Sequence, residues 1–219
     1  MNQDRLFGLL PLTSRRFFLP ASISLNKFGH ALSNPNEKRV LDDSQVHRAI
    51  SRISHEILEK NSGTTNIVLV GIHTRGAMLA RRLYEAVQSI DEDREVSLGT
   101  LDVGLYRDDF SRGARPHVRP TIIPVPLDSR LTVLVDDVLY TGRTVRAAMN
   151  ALIDFGRPQQ IQLGVLVDRG HRELPIKADY VGKNIPTSRD EDVRVRIKEE
   201  DGLDEVVVVN HGEQDEETK

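Results

Sequence analysis

Cysteine is absent from the 219 residues, which excludes disulfides, thiolate metal sites and a cysteine nucleophile together. Long apolar runs are absent too. No stretch approaches the roughly 20 residues of a membrane span, so no membrane role is expected. Neither charge sign dominates: a net charge of −3 gives no global pull towards nucleic acid, and any RNA site has to be a local basic patch. Acidic residues are scarce in residues 1–36, where Asp4 stands alone against Arg5, Arg15, Arg16 and Lys27. Such a segment has the look of a targeting peptide, but the apolar stretch Phe7–Leu12 is short and no clear small-residue cleavage site follows it. Its composition offers little to pack, so residues 1–37 are expected to form a disordered extension. A dinucleotide fingerprint G-x-G-x-x-G is also missing.

What is present suits one well-filled α/β core, with 38% hydrophobic and 29% charged residues. The compact domain is expected to span 38–210, followed by an acidic tail, 211–219, that includes Glu213–Glu217. From Ser44 to Lys60, apolar residues recur at helical spacing, with Asp42, Asp43 and Ser44 as N-cap candidates. A strand at Ile67–Val70, a helix from Gly76 to about Ser89, and strands at Val96–Val103 and Leu131–Val135 follow. A helix from Thr144 to Phe155 and a strand at Ile161–Val167 complete the alternation. Almost continuously apolar strands alternating with helices predict an α/β fold, with a mainly parallel central sheet flanked by helices.

The chemistry concentrates at Leu131–Thr144. A buried strand runs into two adjacent carboxylates, Asp136 and Asp137, and ligands in open parallel sheets bind beyond the carboxyl ends of strands. Thr141 and Gly142 then turn the chain, and a helix is expected to open with Thr144 at its cap. Gly142 admits close backbone approach, and the free N–H groups of a helix start favour a phosphate. Carboxylates beside a phosphate cradle need another task. Holding ribose hydroxyls, directly or through a hydrated magnesium ion (Mg2+), is the natural one. Two plainer readings compete with it. One is a receiver domain, which pairs acidic residues at its first strand, whereas this pair sits on the third, and the other is a purely structural N-cap.

The segment Val135–Thr144 (VDDVLYTGRT) resembles the phosphoribosyl-diphosphate motif of type I phosphoribosyltransferases. Further blocks, Leu69–Gly76 (LVGIHTRG), Leu105–Asp109 (LYRDD), Val167–Ile176 (VDRGHRELPI) and Ala178–Ser188 (ADYVGKNIPTS), narrow it. In this order they are similar to the family of bifunctional pyrimidine-operon attenuation regulators and uracil phosphoribosyltransferases, over about 39–210.

The resemblance implies a type I phosphoribosyltransferase fold with a small hood, formation of UMP from uracil and phosphoribosyl diphosphate, and Mg2+. Phosphoribosyl diphosphate would be held by Val135, Asp136, Asp137, Val138, Leu139, Tyr140, Thr141, Gly142, Arg143 and Thr144, with Thr74, Arg75 and Gly76 taking the diphosphate. The family also suggests a cis peptide in that second loop. Asp136, Asp137 and Arg107 are the candidate catalytic residues, Arg107 lying in a long, Arg-rich segment, Tyr106–Pro120, of the kind that closes over substrate. Asp168, Arg169, Tyr180 and Val181 are the candidate base-binding residues, and a hood is expected around Tyr180–Lys183. Without the family context, Asp168 and Arg169 read as a surface ion pair. The implied partner is a pyrimidine-leader mRNA hairpin, bound by Ser51, His55, Lys60, Arg172, Lys177 and Lys183, in a cytoplasmic homo-oligomer. An enzyme without RNA regulation is the alternative.

Overall fold

The computed structural model describes residues 36–62, 66–104, 106 and 119–210. The predicted extension, Arg107 and the acidic tail lie outside the described residues. In chain order the elements are β1 (Glu37–Leu41), α1 (Asp43–Lys60), β2 (Ile67–Ile72), α2 (Arg75–Ile90), β3 (Val96–Leu101) and β4 (Leu131–Leu139). These are followed by α3 (Arg143–Ile153), β5 (Gln160–Asp168), β6 (Tyr180–Asn184), β7 (Glu191–Arg196), α4 (Lys198–Asp201) and β8 (Glu205–Asn210).

Five strands form a parallel sheet in the order β3-β2-β4-β5-β6. Its inner strands are apolar on both faces because both are covered: all six residues of β2 are buried. Helices α1 and α2 pack on one face with Ile53, Ile57, Leu79 and Leu83, while α3 covers the other with Val145, Ala148 and Leu152. Of the three N-cap candidates Asp42 is the one used. Its carboxylate accepts from the Gln45 N–H at 2.8 Å, and the Gln45 side chain accepts from the Asp42 N–H at 2.9 Å, a reciprocal capping box.

Three features differ from the sequence reading. First, Asp136 and Asp137 lie inside β4, which runs on to Leu139. The reason is unequal neighbours: pairing with β2 stops at Gly71–Val135, whereas pairing with β5 continues to Leu139–Asp168. Second, Tyr180–Lys183 belongs to the edge strand β6 of the main sheet and not to a hood. Gly182 is what lets it dock, since a Cβ there would meet the Leu166 carbonyl oxygen at 2.4 Å. Third, the first described strand pairs with the last in an antiparallel sheet β1-β8-β7, whose Val195, Val206 and Val208, with Ile197 just after β7, join the core of α1 and α2.

Candidate active site

The step between β2 and β5 leaves the last part of β4 paired on one side only, and this places the acidic pair towards the sheet's carboxyl edge. Asp136 is buried and its carboxylate accepts from the Asp137 N–H at 3.0 Å. Asp137 is half-buried and accepts from the Val138 N–H at 2.9 Å. Beyond Leu139 the chain turns at Gly142, whose φ of 92° is in the left-handed region that glycine adopts freely. That turn makes Gly142, not Thr144, the N-cap, with Arg143 the first helical residue. Gly142 offers no side-chain cap, so the first N–H groups of α3 are left to other acceptors, Thr141 Oγ1 taking the Arg143 N–H at 3.4 Å. They border a pocket of about 200 Å³ lined by Asp136, Val138, Leu139 and the loop from Tyr140 to Val145. Drug-sized ligands occupy roughly 300–1,000 Å³, so this pocket matches a phosphate-sized group.

A second loop that runs from a strand into a helix start lies alongside. In the loop from Gly71 to Gly76 the His73–Thr74 peptide is cis. Thr74 caps α2 without a side-chain hydrogen bond, leaving a second open helix start. Gly71 is required because a Cβ would strike the Ala77 Cα at 2.4 Å. His73 places Nε2 3.3 Å from the Pro120 carbonyl oxygen, and its buried Nδ1 has no hydrogen-bond partner among the described residues. Arg75 is engaged by Asp201.

The segment after β5 braces the first loop. The Arg172 guanidinium donates to the carbonyl oxygens of Leu139 at 3.3 Å, Tyr140 at 2.9 Å, Gly170 at 3.0 Å and Ile176 at 3.0 Å, and also pairs with Asp168. Arg169 does not pair with Asp168. It is buried, donates to Thr187, Ser188, Glu191 and Asp192, and lies 4.1 Å from the centre of the Tyr140 ring. The surface ion pair read from sequence is thus replaced by two separate struts, because alternation along the chain sends neighbouring side chains to opposite sides.

The remaining sequence-predicted residues are dispersed. The Tyr180 ring is buried, with its hydroxyl 2.6 Å from Gln162 Oε1 and 2.9 Å from Asn61 Nδ2. Tyr180 pairs with Gly164 and Val181 with Val165, several residues before the end of β5. Lys183 and Asn184, opposite Val167 and Asp168, are the β6 residues at the carboxyl edge. His55, Lys177 and Lys183 are exposed and Ser51 is half-buried, while Lys60 pairs with Asp179 at 2.6 Å. Sequence reasoning missed two arginine roles. Arg52 donates to the Val181 and Gly182 carbonyl oxygens at 2.9 and 2.7 Å, tying α1 to β6, and Arg75 meets Asp201 across 126 residues. Neither contact leaves a local signal.

Comparison with known proteins agrees with this geometry. Residues 36–199 match the phosphoribosyl transferase domain. The chain is 58% identical over 172 residues to the bifunctional protein PyrR of Bacillus cereus, covering 77% of this chain and 95% of that protein. The same figures hold for the bifunctional protein PyrR of Bacillus anthracis. Among solved structures, a hypoxanthine phosphoribosyltransferase from Staphylococcus aureus superposes with a TM-score of 0.59 at 22% identity, covering 80% of this chain and 93% of that one. The hypoxanthine phosphoribosyltransferase of Trypanosoma cruzi gives 0.60 at 20% identity, covering 79% and 96%. At such identities these structures speak for the fold alone.

Proposed function

Since the chain belongs to the phosphoribosyltransferase family and to its bifunctional PyrR branch, we propose that it makes UMP from uracil and phosphoribosyl diphosphate and also regulates pyrimidine genes by binding leader RNA. The observation that carries the enzymatic reading is the packing of two open anion cradles on either side of Asp136, with Gly76 of one against Val135 and Asp136 of the other. Two anion sites flanking a carboxylate pair suit a substrate with a 5′-phosphate at one end, a diphosphate at the other and ribose hydroxyls between them.

The donor set fits magnesium carried by substrate. No cluster of three or more His, Asp or Glu suited to a metal occurs among the described residues, and Mg2+ is commonly held by one or two carboxylates together with phosphate oxygens. Asp136 and Asp137 would be those carboxylates, directly or through water, and the ion would neutralise diphosphate charge. The chain's own part is positioning. The α3 start holds the 5′-phosphate, Asp137 orients the ribose, and the loop from Gly71 to Gly76 stabilises the departing diphosphate. The uracil nitrogen forms a bond to the anomeric carbon as that carbon's bond to the diphosphate oxygen breaks, with inversion, and the nitrogen's proton is released. No side-chain nucleophile is needed.

The regulatory reading rests on the relatives' bifunctional designation and on exposed His55, Lys177 and Lys183. Affinity for RNA should fall with salt as counterions are released, and UMP and RNA should strengthen each other's binding by the same factor. A cytoplasmic homo-oligomer belongs to the same reading. The test is UMP formation from uracil by wild type with Mg2+, beside filter binding of a pyrimidine-leader hairpin with and without UMP. No UMP formation would refute the enzyme, and no hairpin binding at low salt with UMP present would leave the enzyme alone.

A further inference from the structure

One edge of α2 grips the connection between β7 and β8 with two arginines. Arg82 bonds both Glu199 and Asp204, the latter through Nη1 and Nη2 at 2.8 Å each. Arg75, seven residues earlier and so about two turns along the same helix, donates through Nε at 3.2 Å and Nη2 at 2.9 Å to the two carboxylate oxygens of Asp201. The two pairs differ in what they leave over. Arg82 spends all three nitrogens, whereas Arg75 keeps Nη1 without a hydrogen-bond partner among the described residues. Arg75 is also the first residue of α2, beside the open helix start and the cis peptide.

Asp201 cannot swing freely. Its Oδ2 also accepts from the Ile197 N–H at 2.8 Å, so its own turn fixes the carboxylate. A side-on pair through Nε and Nη2 occupies one edge of a planar guanidinium and leaves the end-on edge, with one hydrogen each from Nη1 and Nη2, open to a second anion. A carboxylate acting as a stand-in for the ligand would take that outer edge.

We propose that Asp201 is a positioning residue for the diphosphate: it holds Arg75 side-on so that the free edge of the guanidinium serves the group bound in the loop from Gly71 to Gly76. This inference rests on the phosphoribosyltransferase reading of that loop and goes beyond it in assigning a role to the β7–β8 connection. Diphosphate affinity then depends on a residue that does not touch the ligand, and the three-stranded sheet is mechanically tied to the leaving-group site.

The test uses the full chain, with calorimetric binding of inorganic pyrophosphate plus Mg2+, binding of UMP, and steady-state UMP formation. The variants are Asp201→Asn, Asp201→Glu, Asp204→Asn, Arg75→Ala and Arg75→Ala/Asp201→Asn, each with a thermal melt. Removing a partner that orients a ligand-binding group commonly costs 10–100-fold at metal sites, and on that scale Asp201→Asn should weaken pyrophosphate binding and raise the KM for phosphoribosyl diphosphate by about tenfold. UMP affinity should stay within about twofold, Asp201→Glu should recover part of the loss, and the double variant should be no worse than Arg75→Ala. Asp204→Asn loosens the same connection at Arg82 and should leave pyrophosphate binding unchanged. Unchanged or tighter pyrophosphate binding by folded Asp201→Asn overturns the proposal. So does an equal loss in Asp204→Asn, or additivity in the double variant. A wild type that binds no pyrophosphate overturns the reading of the loop and this inference with it.

Discussion

Gly76 rests on the main chain of Val135: a Cβ at Gly76 would stand 2.5 Å from the Val135 carbonyl oxygen and 3.1 Å from the Asp136 Cα. Both groups it would meet are backbone, so neither can rotate away. Gly76→Ala should therefore push the loop from Gly71 to Gly76 off β4, costing about 1–3 kcal/mol as overpacking does. The thermal melt should fall, and the KM for phosphoribosyl diphosphate should rise more than that for uracil. Equal KM values for wild type and Gly76→Ala would mean that the two loops do not act as one unit.

Asp136 and Asp137 are adjacent in sequence but differ in environment, the first buried and the second half-buried. Asp137→Asn should cut UMP formation by about 100-fold, the scale of a lost positioning contact, with little change in the melt. Asp136→Asn should lower both activity and melting temperature, because it alters a buried group inside the β4 ladder. Activity assays paired with circular-dichroism melts decide the matter. Full activity in folded Asp137→Asn would remove it from the site.

The parallel sheet and the β4 loop were legible because their signals are local. Apolar runs alternate with helical spacing from Ile67 to Val167, and the Asp-Asp pair with Gly142 sits within one short stretch. The three-stranded sheet was not legible, since β1 and β8 pair across more than 150 residues and β1 is short and mostly charged, so that the valine run of β8 had no visible partner. For the same reason Arg75, read as free for an anion, gave no hint of Asp201, and Arg169 gave no hint that it would be buried against Tyr140. Periodicity reports which face is buried. It does not report which distant carboxylate meets a given arginine.

The clamp on the β7–β8 connection should make stability sensitive to acid. The hydrogen bonds from Arg82 hold the Glu199 carboxyl below its ordinary pKa, and those from Arg75 do the same for Asp201. Burial is the largest single influence on Asp204 and would raise it, but its bonds to Arg82 and to the Lys198 N–H, with the Arg82 charge, together lower it. A depressed folded pKa gives stability that is fully present above the unfolded value, about 4, and lost as pH falls through the folded value. The melting temperature should hence be insensitive to these groups from pH 7 to about 5 and decline below about 4. Arg82→Met should melt lower at neutral pH and show a shallower acid decline. Parallel acid declines in wild type and variant would contradict the assignment.

Tyr180 tests how far the base-binding reading follows geometry. Its hydroxyl donates to Gln162 Oε1 and accepts from Asn61 Nδ2, and Asn61 and Gln162 also bond each other, closing a buried polar triad between α1 and the sheet. Burial is the main reason that the phenol pKa is pushed up to about 12, so the hydroxyl stays neutral and keeps its proton for Gln162. Tyr180→Phe removes one member and leaves buried polar atoms short of a partner, a loss of about 1–3 kcal/mol. A fall in the thermal melt is expected, with the KM for uracil unchanged, because the ring is opposite Gly164 in mid-sheet and not at the carboxyl edge. Lys183→Ala and Asn184→Ala are the contrasting changes: both residues lie opposite the end of β5, so any β6 contribution to base binding should appear there first. A raised uracil KM in Tyr180→Phe with an unchanged melt would place the phenol in the base site and refute the core assignment.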